Sequence, residues 1–125
     1  MPHSIIWEPD GLLRTFYGTV SAGEILESNL ELYGDLRFNK AKYIINDFSG
    51  ITDHSIEYDQ IQAFALSDET ISREKHAFNI ALVVPQPSDA YLAHRLSELM
   101  SGKPFKYATF QSVDDARVWV DSIAN

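Results

Sequence analysis

The chain has 125 residues, a formal charge of −8 and no cysteine. A hydrophobic share of 45% and a charged share of 22% are typical of a globular protein, and the length predicts a single domain, residues 1–125. The missing cysteine excludes disulfides, thiolate metal sites and cysteine nucleophiles. The acidic balance argues against binding nucleic-acid phosphates or anionic membranes.

No leader or membrane segment is predicted. A basic start followed by a long apolar run is missing, and the run Ile80 to Val84 is far too short to cross a bilayer. We therefore expect a cytoplasmic protein that makes no membrane contact.

The first two elements are predicted to form a hairpin. Residues 5–7 and residues 12–20 form strands, and the Pro9-Asp10-Gly11 string between them favours a tight turn. The first strand therefore runs antiparallel to the second.

The first helix is predicted from a capping box, in which the side chains of Ser21 and Glu24 each accept a hydrogen bond from the backbone N–H of the other residue. Gly34 is expected to end the helix in the left-handed conformation. Helical spacing predicts an apolar stripe of Ile25, Leu26, Leu30 and Tyr33, opposite a polar face of Glu24, Glu27, Ser28 and Glu31.

Strands and helices then alternate to the end of the chain. The predicted elements are a strand over 43–48, a loop over 49–55, a helix over about 56–76, a strand over 78–84, a helix from 88 to about 101, a strand over 105–110 and a closing helix from 113. The order ββαβαβαβα predicts an α/β fold with a mostly parallel, mixed five-stranded sheet. The antiparallel first strand lies near an edge, and helices cover both faces.

The richest polar chemistry follows the third strand, where ligands bind in open α/β sheets. The candidate residues there are Asp47, Ser49, Asp53, His54 and Ser55. One interpretation is a hydrolytic or metal site built from carboxylates and the imidazole. The other, which we favour, is that Asp47 accepts from loop amides while Asp53 and Ser55 cap the following helix.

A further candidate, Asp68, falls on the apolar stripe of the second helix. It is either a buried carboxylate that faces a pocket, or a partner of Arg73 or Arg95. No third ligand at metal-binding spacing and no glycine-rich phosphate loop occurs in the sequence, so we expect neither a metal nor a cofactor.

Several strings, in their joint order, resemble the SpoIIAA-like family of small bacterial proteins with the STAS fold, the fold of anti-sigma-factor antagonists. They are residues 42–53 (KYIINDFSGITD), 65–68 (ALSD), 78–85 (FNIALVVP), 92–95 (LAHR) and 114–120 (DDARVWV). The resemblance spans nearly the whole chain. It implies a four- or five-stranded mixed sheet with helices on both faces.

The resemblance also implies a regulatory site. Antagonist members are switched by phosphorylation of a serine in an Asp-Ser-Ser-Gly string at the start of the second helix. The matching string here is Asp53-His54-Ser55-Ile56, in which Asp53 and Ser55 fit and the other two residues depart. A related architecture binds lipids in other proteins, which keeps a second interpretation open.

We therefore predict a non-enzymatic STAS-like module that regulates or binds a partner protein. The alternative is a carrier of a small hydrophobic ligand or lipid, with a pocket between sheet and helices lined by Asp68 and aromatic side chains. We also predict a homodimer, formed through the edge strand near residues 5–8 and exposed Leu32 and Leu36. Trp119 is predicted to be a structural residue near the buried stripe of the closing helix.

Overall fold

The computed structural model describes residues 3–54, 78–84 and 105–123. These residues form one sheet of five strands and three helical segments. The strands are β1 (His3–Trp7), β2 (Gly11–Val20), β3 (Tyr43–His54), β4 (Phe78–Val83) and β5 (Phe105–Phe110). The helical segments are α1 (Ala22–Tyr33), the 3-10 turn η1 (Leu36–Lys40) and the closing helix α2 (Val113–Ile123).

The sheet confirms the predicted mixed topology. Its strand order is β1-β2-β3-β4-β5, with β1 antiparallel to β2 at one edge and the other neighbouring strands parallel. The Pro9–Gly11 turn forms as expected, because the Glu8 backbone N–H donates to the Gly11 carbonyl at 2.8 Å. The predicted second and third helices lie outside the described residues.

Helices cover both faces of the sheet, as predicted. Alternate residues of each strand point to opposite faces, so each strand supplies two cores. The core on the α1 side includes Leu12, Phe16, Leu32, Ile44, Phe78, Ile80 and Leu82. The core on the α2 side includes Tyr43, Ile45, Ala81, Val83, Ala116 and Val120.

Strand β3 is longer than its sequence predicts. Residues 49–54, expected in a loop, continue the strand and pair with residues 17–20 of β2. Two register shifts make this possible, since at each of them β3 uses one residue more than β2. Gly18, with a φ of +74°, lies at the second shift, where a side chain would strain the backbone. The loop prediction was therefore wrong for residues 49–54.

Helix α1 is rotated relative to the predicted stripe. Its buried residues are Ile25, Ser28, Asn29 and Leu32, whereas Leu30 is 70% exposed. The expectation that Ser28 faces solvent was wrong, as was the expectation that Leu32 is exposed. The reason is a buried arginine on β2, described below, that draws the two polar side chains inward.

The end of α1 also differs from its prediction. Gly34 has a φ of −81°, in the right-handed helical region, because its N–H bonds the Leu30 carbonyl and the chain turns at once into η1. The start is as predicted, since the Ser21 hydroxyl accepts from the Glu24 backbone N–H at 3.2 Å. Ser112 caps α2 in the same way, accepting from the Asp115 N–H at 3.2 Å.

Trp119 is half-buried against Phe110, with ring centroids 5.6 Å apart, and so is less enclosed than predicted. We expect Trp119→Ala to lower the free energy of unfolding by about 2 kcal/mol, below the range for a fully buried tryptophan. The neighbouring Val118 is 71% exposed, and Val118→Ala should change stability by less than about 0.5 kcal/mol. Equal denaturation midpoints for the two variants would contradict this packing.

Candidate functional site

Around the first register shift, strand β3 presents a polar segment at the surface. The half-buried carboxylate of Asp47 accepts hydrogen bonds from the Ser49 backbone N–H at 2.9 Å and the Ser49 hydroxyl at 2.5 Å. Ser49 and Gly50 are exposed. Asp47 therefore accepts from a nearby backbone amide, as expected, although that amide belongs to the strand and not to a loop.

Asp53 and His54 lie farther along the same strand. Their backbones pair with Thr19 and Val20 of β2, so they belong to the sheet and do not form a loop. The capping role expected of Asp53 concerns a helix outside the described residues and stays a prediction. Ser55 and Asp68 lie outside the described residues.

Within the described ranges, no group of three or more histidine and carboxylate side chains is placed to hold a metal ion. Asp47 has Ser49 as its partner. The catalytic interpretation of Asp47, Asp53 and His54 stays a hypothesis.

A buried polar network links β2, β3 and α1. Arg14 Nε donates to Asn46 Oδ1 at 2.9 Å, while Nη1 donates to Ser28 Oγ at 3.0 Å and to Asn29 Oδ1 at 2.7 Å. All four side chains are buried. A buried guanidinium needs such acceptors, because burying an unsatisfied charge is costly. Through this network α1 is held on the sheet by polar contacts as well as apolar ones.

This network was not predicted from the sequence. Arg14 lies two residues from both Leu12 and Phe16 along β2, so the two-residue period of a strand places it on the same, buried face. Its acceptors are distant in sequence, at 14, 15 and 32 residues from Arg14. No local pattern links them, so only the folded chain shows which groups satisfy the arginine.

Aromatic side chains surround the network. The Arg14 guanidinium lies 5.0 Å from the centre of the Phe16 ring, and Phe16 stacks on Phe48 with centroids 5.1 Å apart. His3 adds a third ring, 5.8 Å from Phe16. This packing fixes Phe16 and Phe48 at the same end of the sheet as Asp47.

A second charged cluster joins the β1–β2 turn to α2. Arg117 donates to both Glu8 carboxylate oxygens, at 3.0 and 2.6 Å, and the Tyr43 hydroxyl donates to Glu8 Oε1 at 2.5 Å. The hydrogen bond from Arg117 is the main cause that lowers the pKa of Glu8. Burial, together with the neighbouring Glu8 carboxylate, raises the pKa of Tyr43 to about 12. The Glu8 carboxylate, the Arg117 guanidinium and the Tyr43 hydroxyl thus bind one another and connect the β1–β2 turn to α2 and β3.

This cluster predicts an acid-dependent loss of stability. The folded-state pKa of Glu8 is lowered, so its contribution is present above the ordinary carboxyl pKa and is lost as the pH falls through the lowered value. Between about pH 5 and pH 3, the free energy of unfolding should fall less steeply for Glu8→Gln than for the wild type. Urea titrations at each pH measure this slope, with Glu27→Gln, which removes an exposed carboxylate, as the control. Parallel curves for Glu8→Gln and the wild type would rule out the contribution.

No helix in the described parts of the chain is long and apolar enough to cross a membrane. No protein-family model matches the sequence, and no curated protein matches it. The fold, however, has counterparts among solved structures.

The unphosphorylated form of the anti-sigma factor antagonist SpoIIAA aligns with a TM-score of 0.61 at 9% identity, over 97% of this chain and 99% of its own. The phosphorylated form of the Bacillus cell fate determinant SpoIIAA aligns with a TM-score of 0.54 at 11% identity, over 92% and 98%. An uncharacterized protein from Shewanella loihica PV-4 with a SpoIIAA-like fold aligns with a TM-score of 0.56 at 16% identity, over 94% and 90%. The chain therefore has a SpoIIAA-like STAS fold, as its sequence resemblance predicted.

Proposed function

We propose that this protein is a non-enzymatic regulatory module that binds a partner protein and is switched near the carboxyl end of β3. The observation that carries the proposal is the likeness of the whole fold to an anti-sigma factor antagonist, solved in unphosphorylated and phosphorylated forms. The match covers more than nine-tenths of both chains.

The two serines near this end of the sheet differ in their fitness as a phosphorylation site. The Ser49 hydroxyl already donates to the Asp47 carboxylate at 2.5 Å. A phosphate on Ser49 would remove this donor and place about −1.5 to −2 charges beside a carboxylate. Ser49 is therefore a structural residue, and the proposal assigns the switch to Ser55, which matches the family's phosphorylated string.

The experiment is phosphosite mapping combined with partner capture from native lysate. We expect a phosphate on Ser55 in a fraction of the isolated protein and none on Ser49. Ser55→Asp should fold with a normal circular dichroism spectrum yet lose a partner that the wild type retains. Ser49→Ala, the matched control, should keep it.

Two results would contradict the proposal. If the wild type, Ser55→Asp and Ser49→Ala retrieve the same proteins, Ser55 does not control binding. If none of them retrieves a specific partner, the module function itself fails. The native lysate is required because the partner and its kinase must both be present.

The carrier alternative gains no support from the similar structures. Among the described aromatic residues it would assign to a pocket, Phe16 stacks on Phe48, and Phe78 packs edge-on against Phe38 with centroids 5.1 Å apart. These rings fill the core by contacting one another. The regulatory module is therefore the better account.

A further inference from the structure

Helix α1 turns two polar side chains into the protein and a leucine out of it. Ser28 and Asn29 are buried, where Arg14 bonds them, whereas Leu30 is 70% exposed. A single exposed leucine is common on protein surfaces. Here the polar network fixes the rotation of the helix, so the exposure of Leu30 is built into the packing of α1.

Leu30 is part of an apolar strip on one side of α1. Leu26, Leu30 and Tyr33 stand at positions i, i+4 and i+7, which fall along one side of a helix. Leu26 and Tyr33 are half-buried, and both touch the cores beneath them. The strip therefore has two half-buried ends in contact with the core and an exposed side chain, Leu30, between them. This is the spacing by which helices and hydrophobic grooves recognise one another.

The other side of the exposed surface is acidic. Glu27 and Glu31 are exposed, Glu24 lies one turn earlier, and α1 contains no lysine or arginine. His3 Nε2 lies 3.9 Å from the Glu31 carboxylate and is charged only when protonated. The apolar strip is thus bordered by carboxylates along its length.

We propose that α1 is a docking surface for a basic amphipathic helix of a partner protein. Leu30 is the apolar anchor, and Glu27 and Glu31 form the acidic rim that pairs with lysines or arginines of the partner. A second copy of this chain is a poor occupant, because it would bring the same glutamates and a charge of −8 against them. The inference rests on the proposed function and names the surface and the chemistry of its partner.

The test uses a defined probe: a dye-labelled peptide of about 14 residues, built from leucine and lysine at helical spacing. Binding is measured by fluorescence anisotropy at low and at moderate salt. Leu30→Ser should weaken binding roughly tenfold, because it removes the buried anchor. Glu27→Gln combined with Glu31→Gln should weaken it roughly threefold at low salt and reduce the salt dependence.

The chain supplies matched controls on α2. Val118→Ser removes an equally exposed apolar side chain, and Asp114→Asn with Asp115→Asn removes two exposed carboxylates. Both controls should leave the affinity within about twofold of the wild type. A peptide with glutamate in place of lysine should not bind.

Three results would overturn the docking surface. The first is that the basic peptide does not bind. The second is that the α1 and α2 variants lose equal affinity, which would reflect net charge alone. The third is a dimer in sedimentation that Leu30→Ser dissociates. The last would make a second copy the occupant. None of these outcomes affects the partner capture that tests Ser55, so the surface can fail while the proposed function stands.

Discussion

Replacing Arg14 with leucine should lower the free energy of unfolding by about 3 kcal/mol or more. The substitution removes three buried hydrogen bonds and leaves the side chains of Asn46, Ser28 and Asn29 without their donor. Each buried polar group left unsatisfied costs about 1–3 kcal/mol. The measurement is urea denaturation followed by circular dichroism.

Two further variants sharpen this prediction. Adding Ser28→Ala and Asn29→Leu to Arg14→Leu should recover part of the loss, because two of the three acceptors left without a donor are then replaced by apolar side chains. Lys106→Leu, which removes an exposed cation from β5, should change stability by less than about 0.5 kcal/mol. Equal small effects of Arg14→Leu and Lys106→Leu would show that the network contributes little.

Gly11→Ala should destabilise the protein by about 3 kcal/mol, at the upper end of overpacking costs. A Cβ at this position would lie 2.6 Å from the Tyr43 carbonyl oxygen and 2.6 Å from two carbons of its ring. The carbonyl belongs to the backbone of β3, directly opposite Gly11 in the β2–β3 register, so it cannot rotate away. A lowered midpoint in thermal and urea denaturation measures the effect.

The matched control is Gly23→Ala in the first turn of α1. The nearest atom to a Cβ there is the Ser21 hydroxyl oxygen, at 3.9 Å, and alanine is the better helix former. We expect Gly23→Ala to be neutral or to stabilise the protein by up to about 1 kcal/mol. If Gly11→Ala were equally harmless, the close approach of β2 and β3 would be wrong.

Local signals were sufficient to predict most of the described fold. The turn at Pro9–Gly11, the cap at Ser21 and the apolar runs of β4 and β5 each depend on neighbours in sequence, and the structure confirms them. The length of β3 could not be predicted in this way. Residues 49–54 are polar and glycine-containing, and they stay in the sheet because β2 continues beside them with two register shifts.

The prediction of which face of α1 is buried was wrong for a similar reason. Apolar periodicity favours Leu30 in the core, but the buried guanidinium of Arg14 requires acceptors and selects Ser28 and Asn29 instead. A long-range polar contact thus overrides the local pattern. Of the candidate site, Asp47 accepts from a backbone amide as expected, while the regulatory role of Ser55 stays a prediction.

Native mass spectrometry of the protein freshly isolated from its own cells tests the central claim most directly, because it reports partner, phosphate and bound ligand together. The account predicts two species: the unmodified chain in complex with a partner protein, and a free chain that carries one phosphate. A free, unmodified chain that retains a small hydrophobic molecule would contradict the regulatory module and establish the carrier in its place.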